Sequence, residues 1–361
     1  MIQANRSQLG SDILAQPQSL VCVLDQQLGS GRAAMLQAAS LIRSGQQVLI
    51  TGIGASMFAS IPLQYALCAC GIDAVVVEAA ELLHFLHCAY EDAVAIVVSR
   101  SGESIEIAKL LAMIQGRQPI IGVTNEPASL LAQKADVNLY VGSQPDGMVA
   151  IQTYTGTVLT LYLLAEMVRL SIDAAGEEMD SLQVAFSEVV KLSYGQLTCW
   201  DPFLEAGGPV YLLGRGPSYA SAMEGALLFN EVAKIPAVGM AAASFRHGPV
   251  EVVDSNFRGL IFASQGRACE LNIALARDLA RFGGHVRCIG PAQESAPGMD
   301  WCDLPRVPQR IAPLFEIVPV QVAALRMAQL RGIPEGTFRY APQVTTDEAS
   351  FGVPGNGRSP E

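Results

Sequence analysis

The chain has 361 residues, half of them hydrophobic and only 16% charged, with a formal net charge of −11. That length suits two ordinary domains with large buried cores, and so acidic a surface excludes nucleic-acid binding driven by phosphate neutralisation. Any anion site must therefore be local, built from backbone N–H groups and a few side chains.

Residues 1–17 are polar and end in Gln16-Pro17, which predicts an extended lead-in. Met1–Arg6 lacks the apolar stretch of a signal peptide. A helix is predicted over 18–43. Gln47–Gly52 reads as a buried strand feeding the turn Gly52-Ile53-Gly54-Ala55-Ser56, and a helix then runs to about Cys70, where Gly71 stops it. Ile72–Val77 is the second strand and Ala93–Ser99 the third. The third ends abruptly in Ser99-Arg100-Ser101-Gly102-Glu103-Ser104, and a helical pattern (Ile105, Ala108, Leu111, Ala112) follows at once. Three hydroxyls and a glycine thus gather at the positive, unpaired N–H end of a helix. Such a turn suits a dianion such as phosphate or, equally, a serine-rich cap with no ligand. Pro119–Val123 and Asp136–Val141 supply the fourth and fifth strands, with a helix starting after Thr124-Asn125-Glu126-Pro127. The alternation predicts an α/β fold, a doubly wound parallel sheet with helices on both faces. The apolar helix near 149–173 is interrupted by Gln152, Thr153, Thr155 and Glu166, which marks a core helix rather than a membrane span.

A more polar helix, Gly176–Thr198, and a joint at Asp201-Pro202 and Gly207-Gly208-Pro209 precede a repeat of the pattern. Val210–Gly214 is a strand, followed by a turn and a helix to about Ala233. Laid with Gly54 on Gly216, Ser56 falls on Ser218. Gly259–Ala263, His285–Cys288 and Trp301–Leu304 supply further strands, and Arg267–Phe282 and Ile311–Leu330 further helices. A recurrence about 160 residues apart predicts a duplicated domain. The expected divisions are a first domain over 1–173 carrying the serine turn, a linker helix over 174–207, a second domain over 208–331 and a tail over 332–361. Gly352–Glu361 is expected to be disordered. The second half's counterpart of the serine turn, Ala263-Ser264-Gln265-Gly266-Arg267, has lost most of the hydroxyls. The eight cysteines are scattered without CxxC or Cys/His ligand spacing. Buried, reduced thiols, a cytosolic location and no metal or other cofactor are expected. His84 and His87 lack a third ligand and read as structural.

The residues then carry a resemblance. Gly52-Ile53-Gly54-Ala55-Ser56, Ser99-Arg100-Ser101-Gly102-Glu103-Ser104, Leu213-Gly214-Arg215-Gly216 with Met223-Glu224-Gly225-Ala226-Leu227, and Phe245-Arg246-His247-Gly248-Pro249 together resemble the sugar isomerase (SIS) family. The likeness is to the tandem-SIS isomerase half of glucosamine-6-phosphate synthase, from about residue 20 to 348. In that family the S-x-S-G-E-[ST] loop grips the substrate phosphate. The resemblance implies that role for Ser99, Ser101, Gly102 and Ser104, with Arg100 replacing the family's glutamine and Gly54, Ala55 and Ser56 facing them. It implies Glu231 as the acid/base that moves a proton between carbons 1 and 2. His247 would assist ring opening from the neighbouring subunit of a homodimer. The apolar neighbours Leu227, Leu228, Phe229 and Val232 are expected to raise the Glu231 pKa. Glu224, seven residues earlier, is a second site carboxylate or a packing partner of Arg215.

Val149-Ala150-Ile151-Gln152-Thr153 stands at the family's V-A-S-T-K stretch, which puts Val149 and Gln152 among the substrate contacts. In the tail, alignment on Glu348 sets Gln343 where the synthase has an imine-forming lysine. Glutamine forms no imine but can hydrogen-bond a carbonyl or hydroxyl. Gln343 and Arg339 are expected to close over the sugar. With Ile2 at the second position and the sheet pattern beginning by residue 47, no glutaminase unit is expected. The resemblance thus implies a phosphosugar isomerase that works by enediol proton transfer on a ketose, aldose or amino-sugar 6-phosphate. An amino-sugar-phosphate deaminase of the same fold and a non-catalytic sugar-phosphate sensor stay open. A Rossmann dehydrogenase is weaker, because Met57 stands where its third glycine belongs.

Overall fold

Among the described residues ten parallel strands, all short and mostly apolar, divide between two sheets of five. The computed structural model describes residues 7–170, 172–293 and 297–349, so Met1–Arg6 and Gly352–Glu361 lie outside it. The first sheet comprises β1 (Gln47–Gly52), β2 (Asp73–Glu78), β3 (Val94–Val98), β4 (Ile120–Thr124) and β5 (Val137–Tyr140) in the order β2-β1-β3-β4-β5. The second comprises β6 (Val210–Gly214), β7 (Ala237–Ala241), β8 (Arg258–Phe262), β9 (His285–Gly290) and β10 (Met299–Asp303) in the order β7-β6-β8-β9-β10. The two orders are the same path repeated. The registers repeat as well: Ile50 faces Ile96 between β1 and β3, and Leu212 faces Leu260 between β6 and β8. Strands β3, β4 and β8 are buried at every residue, as strands covered by helices on both faces must be.

Helices Gln152–Arg169 and Ala312–Leu330 are buried nearly all round. They belong to one apolar core that reaches into both sheets, while two smaller cores lie under the outer helices of each half. Among the described residues no helix is long and apolar enough to cross a membrane.

The N-terminal region departs from the expected extended lead-in. Residues Gln8–Leu28 form a helix that runs straight through Pro17, capped by the Ser7 hydroxyl on Gly10 N–H. Pro17 has no N–H to give the Ile13 carbonyl four residues earlier. The Gln16 side-chain amide donates there instead, at 3.0 Å, and also to Gln321 Oε1 at 2.8 Å. The single helix expected over 18–43 is two, because Gly29-Ser30-Gly31 breaks it before Arg32–Ser44. The cysteines are also less buried than expected. Cys288 is buried, whereas Cys68, Cys70, Cys88 and Cys199 are exposed, since each lies at an element end or in a connection.

One polar contact lies deep inside the second half. Glu316, fully buried, accepts from Ser218 Oγ at 2.8 Å and Ser221 Oγ at 2.6 Å. Ser218 is the counterpart of Ser56, so in the second half this turn's hydroxyl is already bound to an internal carboxyl. Glu316→Leu leaves those hydroxyls without a partner in a dry core and is expected to cost roughly 2–5 kcal/mol. A chemical-denaturation midpoint unchanged from that of the parent chain would refute this.

Candidate functional site

In an open α/β sheet, ligands settle outside the carboxyl ends of the strands where the strand order reverses. In the first sheet that point lies between β1 and β3, and the turns after them meet there. A cleft of about 300 Å³ opens at this place. Gly54, Ala55 and Ser56 line it from the β1 turn, and Ser99, Arg100, Ser101 and Ser104 from the β3 turn. Leu227 and Glu231 reach it from the second half, and Gln343 and its neighbours from the tail.

The β3 turn is shaped by its own hydrogen bonds. Ser99 Oγ accepts from Gly102 N–H at 3.1 Å, and Gly102 holds φ +65°, the left-handed region that favours glycine. Gly102 is buried and underpins the turn without lining the cleft. Ser101 Oγ accepts from Glu103 N–H, and Glu103 Oε1 accepts from Leu130 N–H at 2.6 Å. Ser104 stands at the N-cap of helix Ile105–Ile114 with extended backbone, yet its hydroxyl makes no capping bond. A serine in that position ordinarily satisfies a first-turn N–H. Here the hydroxyl is left to the cleft, next to the positive end of a ten-residue helix.

Glu231 belongs to a wider, π-type turn, Phe229–Ala233, that ends the helix Tyr219–Leu228. Such turns recur at functional sites because they re-aim side chains. Lys234 closes this turn in the left-handed conformation, φ +54°. Its ammonium donates to the carbonyls of Glu231 and, at 2.6 Å, of Thr337. Burial pushes the Glu231 carboxyl up to about 7, against the lowering pull of Lys234 and Arg100. Beneath it, Glu224 is fully buried and its Oε2 has no hydrogen-bond partner among the described residues. Burial, then the nearby carboxyls of Glu231 and Asp146, push the Glu224 carboxyl well above the usual carboxylate range. Arg215 is not its partner. That guanidinium donates to Asn272 Oδ1 at 2.9 Å, across the second sheet's own strand ends.

The tail is fastened over the cleft at several points. Thr345 carbonyl accepts from Ile105 N–H at 3.0 Å, and Gln343 carbonyl accepts from Arg100 Nη2 at 3.2 Å. Gln343 Nε2 donates to the Gly147 carbonyl at 3.1 Å. Glu348 binds His84 and Lys109, which gives His84 its structural part. A second hollow of about 420 Å³ shares Arg100, Ser101 and Gln343 with the cleft and is bounded by Asp146.

Of the residues singled out in the sequence, Gly54, Ala55, Ser56, Ser99, Arg100, Ser101, Ser104, Glu231 and Gln343 meet at the cleft. Val149 and Gln152 are buried beside it. Gln152 Nε2 donates to the Pro145 carbonyl, and Met148 and Ala150 line the cleft in their stead. Arg339 is exposed near Lys234. His247 is exposed in the turn beyond β7 and does not line the cleft of its own chain. Two participants went unnoticed in the sequence. Asp146 accepts from the N–H groups of Gln152 and Thr153 and so caps helix Gln152–Arg169. Its signal was present as Pro145-Asp146-Gly147, a turn ahead of a helix. Lys234 carried no local signal.

Residues 40–167 and 204–331 each match the SIS domain. The chain belongs to the SIS domain family. The glutamine–fructose-6-phosphate aminotransferase (isomerizing) of Pyrococcus horikoshii is 27% identical over 326 residues, covering 86% of this chain and 54% of that protein. The chain therefore spans about half the length of that relative and is homologous to its isomerase half. The SIS pair superposes on the C-terminal domain of glucosamine-fructose-6-phosphate aminotransferase from Francisella tularensis with a TM-score of 0.82. Identity there is 18%, over 92% of this chain and 98% of that one. Glucosamine-6-phosphate deaminase from Thermotoga maritima gives a TM-score of 0.70 at 18% identity, over 91% and 99%. At such identities the structural likeness concerns the fold.

Proposed function

We propose that this SIS protein is a phosphosugar isomerase that shifts a proton between carbons 1 and 2 of a sugar or amino-sugar 6-phosphate. One observation carries the reading: a carboxyl raised to about 7 shares a cleft with a helix start whose serine caps nothing. A base of that pKa is ionised and reprotonated with equal ease at neutral pH, as carbon acid–base catalysis requires. The phosphate sits against Ser101 and Ser104 and the first turn of helix Ile105–Ile114, with Arg100 beside it. The open-chain carbons then extend toward Glu231, which takes the proton from one carbon and returns it to the next. His247 of a second subunit opens the ring, in a homodimer, consistent with its exposure here. Gln343 contributes hydrogen bonds and no imine.

Incubation with fructose 6-phosphate, glucose 6-phosphate and glucosamine 6-phosphate in heavy water tests this. Deuterium is expected at carbon 2 of an aldose 6-phosphate or at carbon 1 of fructose 6-phosphate. Ammonia released from glucosamine 6-phosphate would assign the deaminase chemistry. Absence of exchange across a broad phosphosugar panel would overturn the proposal and leave a sugar-phosphate sensor.

A further inference from the structure

The second sheet has its own reversal point, between β6 and β8, and a larger cavity opens there. It measures about 560 Å³ and shares no lining residue with the cleft or the hollow beside it. The turns after β6 and β8 contribute Gly216, Pro217, Arg267 and Ala268, and Arg310 with Gln309 comes from the approach to helix Ala312–Leu330. The opposite wall belongs to the first half: Arg169 and Glu166 from helix Gln152–Arg169, and Tyr65 with Ala66 and Ala69 from helix Ala55–Ala69.

The lining carries three guanidinium groups and one carboxylate, in a chain whose net charge is −11. The carboxylate does not neutralise the cavity so much as set its geometry. Glu166, nearly fully buried, holds Arg169 at 2.5 Å on one oxygen and Arg310 at 2.6 Å on the other. Both arginine side chains remain partly exposed. Two forked donors are thereby fixed side by side, the arrangement that suits the oxygens of a phosphate. Arg267 sits on the third side, at the start of helix Cys269–Arg281, exposed and without a carboxylate partner among the described residues. The other wall is apolar. Tyr65, Ala66, Ala69 and Pro217 line it, and the volume of about 560 Å³ exceeds what a bare phosphate fills.

The inner hydroxyls of this turn are already spent on Glu316, so an anion here must be held by arginine rather than by serine. We infer that this cavity is a second ligand site, for an organic phosphate whose dianionic head meets Arg169, Arg267 and Arg310 and whose uncharged body lies on Tyr65. The inference does not rest on the reaction assigned to the first cleft. The same helix, Ala55–Ala69, begins at the Ser56 turn and ends on this wall, so an occupant touches an element that also lines the first cleft.

Titration calorimetry of the full chain with phenyl phosphate, inorganic phosphate and phenol tests this. Phenyl phosphate is expected to bind more tightly than inorganic phosphate, and phenol not to bind. Arg267→Glu changes an exposed side chain, does not threaten the core, and is expected to weaken phenyl phosphate at least tenfold. Ser104→Glu, which closes the first cleft to anions, is expected to leave that binding intact. Unaltered affinity in Arg267→Glu overturns the inference, as does loss of binding in Ser104→Glu or no binding by the parent chain at millimolar phenyl phosphate. Deuterium exchange on sugar phosphates, measured in parallel on Arg267→Glu, reports separately on the isomerase proposal.

Discussion

Glu231→Gln is expected to lower isomerisation by roughly 10²–10⁴-fold, with substrate affinity within about tenfold of the parent, because glutamine keeps the shape and loses the base. The pH dependence identifies the group. With the Glu231 carboxyl at about 7, the parent's rate under limiting substrate climbs as pH rises toward that value and then levels. The variant's residual rate lacks this limb. Stability moves the other way. A carboxyl raised on folding binds a proton more tightly in the native chain than in the unfolded one. The native state therefore loses stability as pH rises from the ordinary carboxyl range through about 7. Glutamine has nothing to ionise, so Glu231→Gln is expected to melt above the parent at pH 8 and to show no such gain at pH 5. A variant that keeps its turnover, or whose melting difference does not depend on pH, would remove Glu231 from the mechanism.

Gly102→Ala carries the second large effect. Gly102 has φ +65°, and an added Cβ would lie 2.3 Å from Ser129 Oγ and 2.6 Å from Ser129 Cβ. Left-handed strain and overpacking together are expected to cost about 3 kcal/mol. The loss extends beyond stability, since Gly102 N–H donates to Ser99 and its carbonyl accepts from Leu131 N–H. Moving it shifts the whole serine turn. A rise in KM for sugar phosphates of tenfold or more should accompany a clear fall in melting temperature. An unchanged KM in a destabilised but folded variant would separate the turn from phosphate binding.

Much of the fold was legible because the strands are short apolar runs closed by glycine or serine, and because the halves repeat in register from Gly54 to Gly216. The serine turn was legible for the same local reason: hydroxyls packed against the start of a periodic helix. What escaped depends on residues far apart in the chain. Pro17 ordinarily ends a helix, and only the Gln16 amide, held in turn by Gln321, lets this one pass. Glu316 sits in an apolar pattern where nothing local announces the serines nearly a hundred residues earlier that bind it. The wide turn at Phe229–Ala233 changes the direction of Glu231 without altering the sequence pattern that a regular helix would show. The route of the tail depends on Lys109, His84 and Arg100, none of which is near it in sequence.

One of these tail contacts bears on discrimination. The first N–H of helix Ile105–Ile114 points at the Thr345 carbonyl, so an anion arriving at the serine turn meets a rival that the chain carries with it. A tethered rival acts at an effective concentration in the millimolar range, well placed against small ions that offer the turn nothing but oxygen atoms. On the proposed function, a phosphorylated sugar would meet the same rival but would also bring hydroxyls and carbons to Arg100, Gln343 and Glu231, which line the same cleft. If the cleft holds a sugar phosphate as proposed, the carbonyl of Thr345 is expected to set an entry threshold that screens inorganic anions by what they lack rather than by what they are.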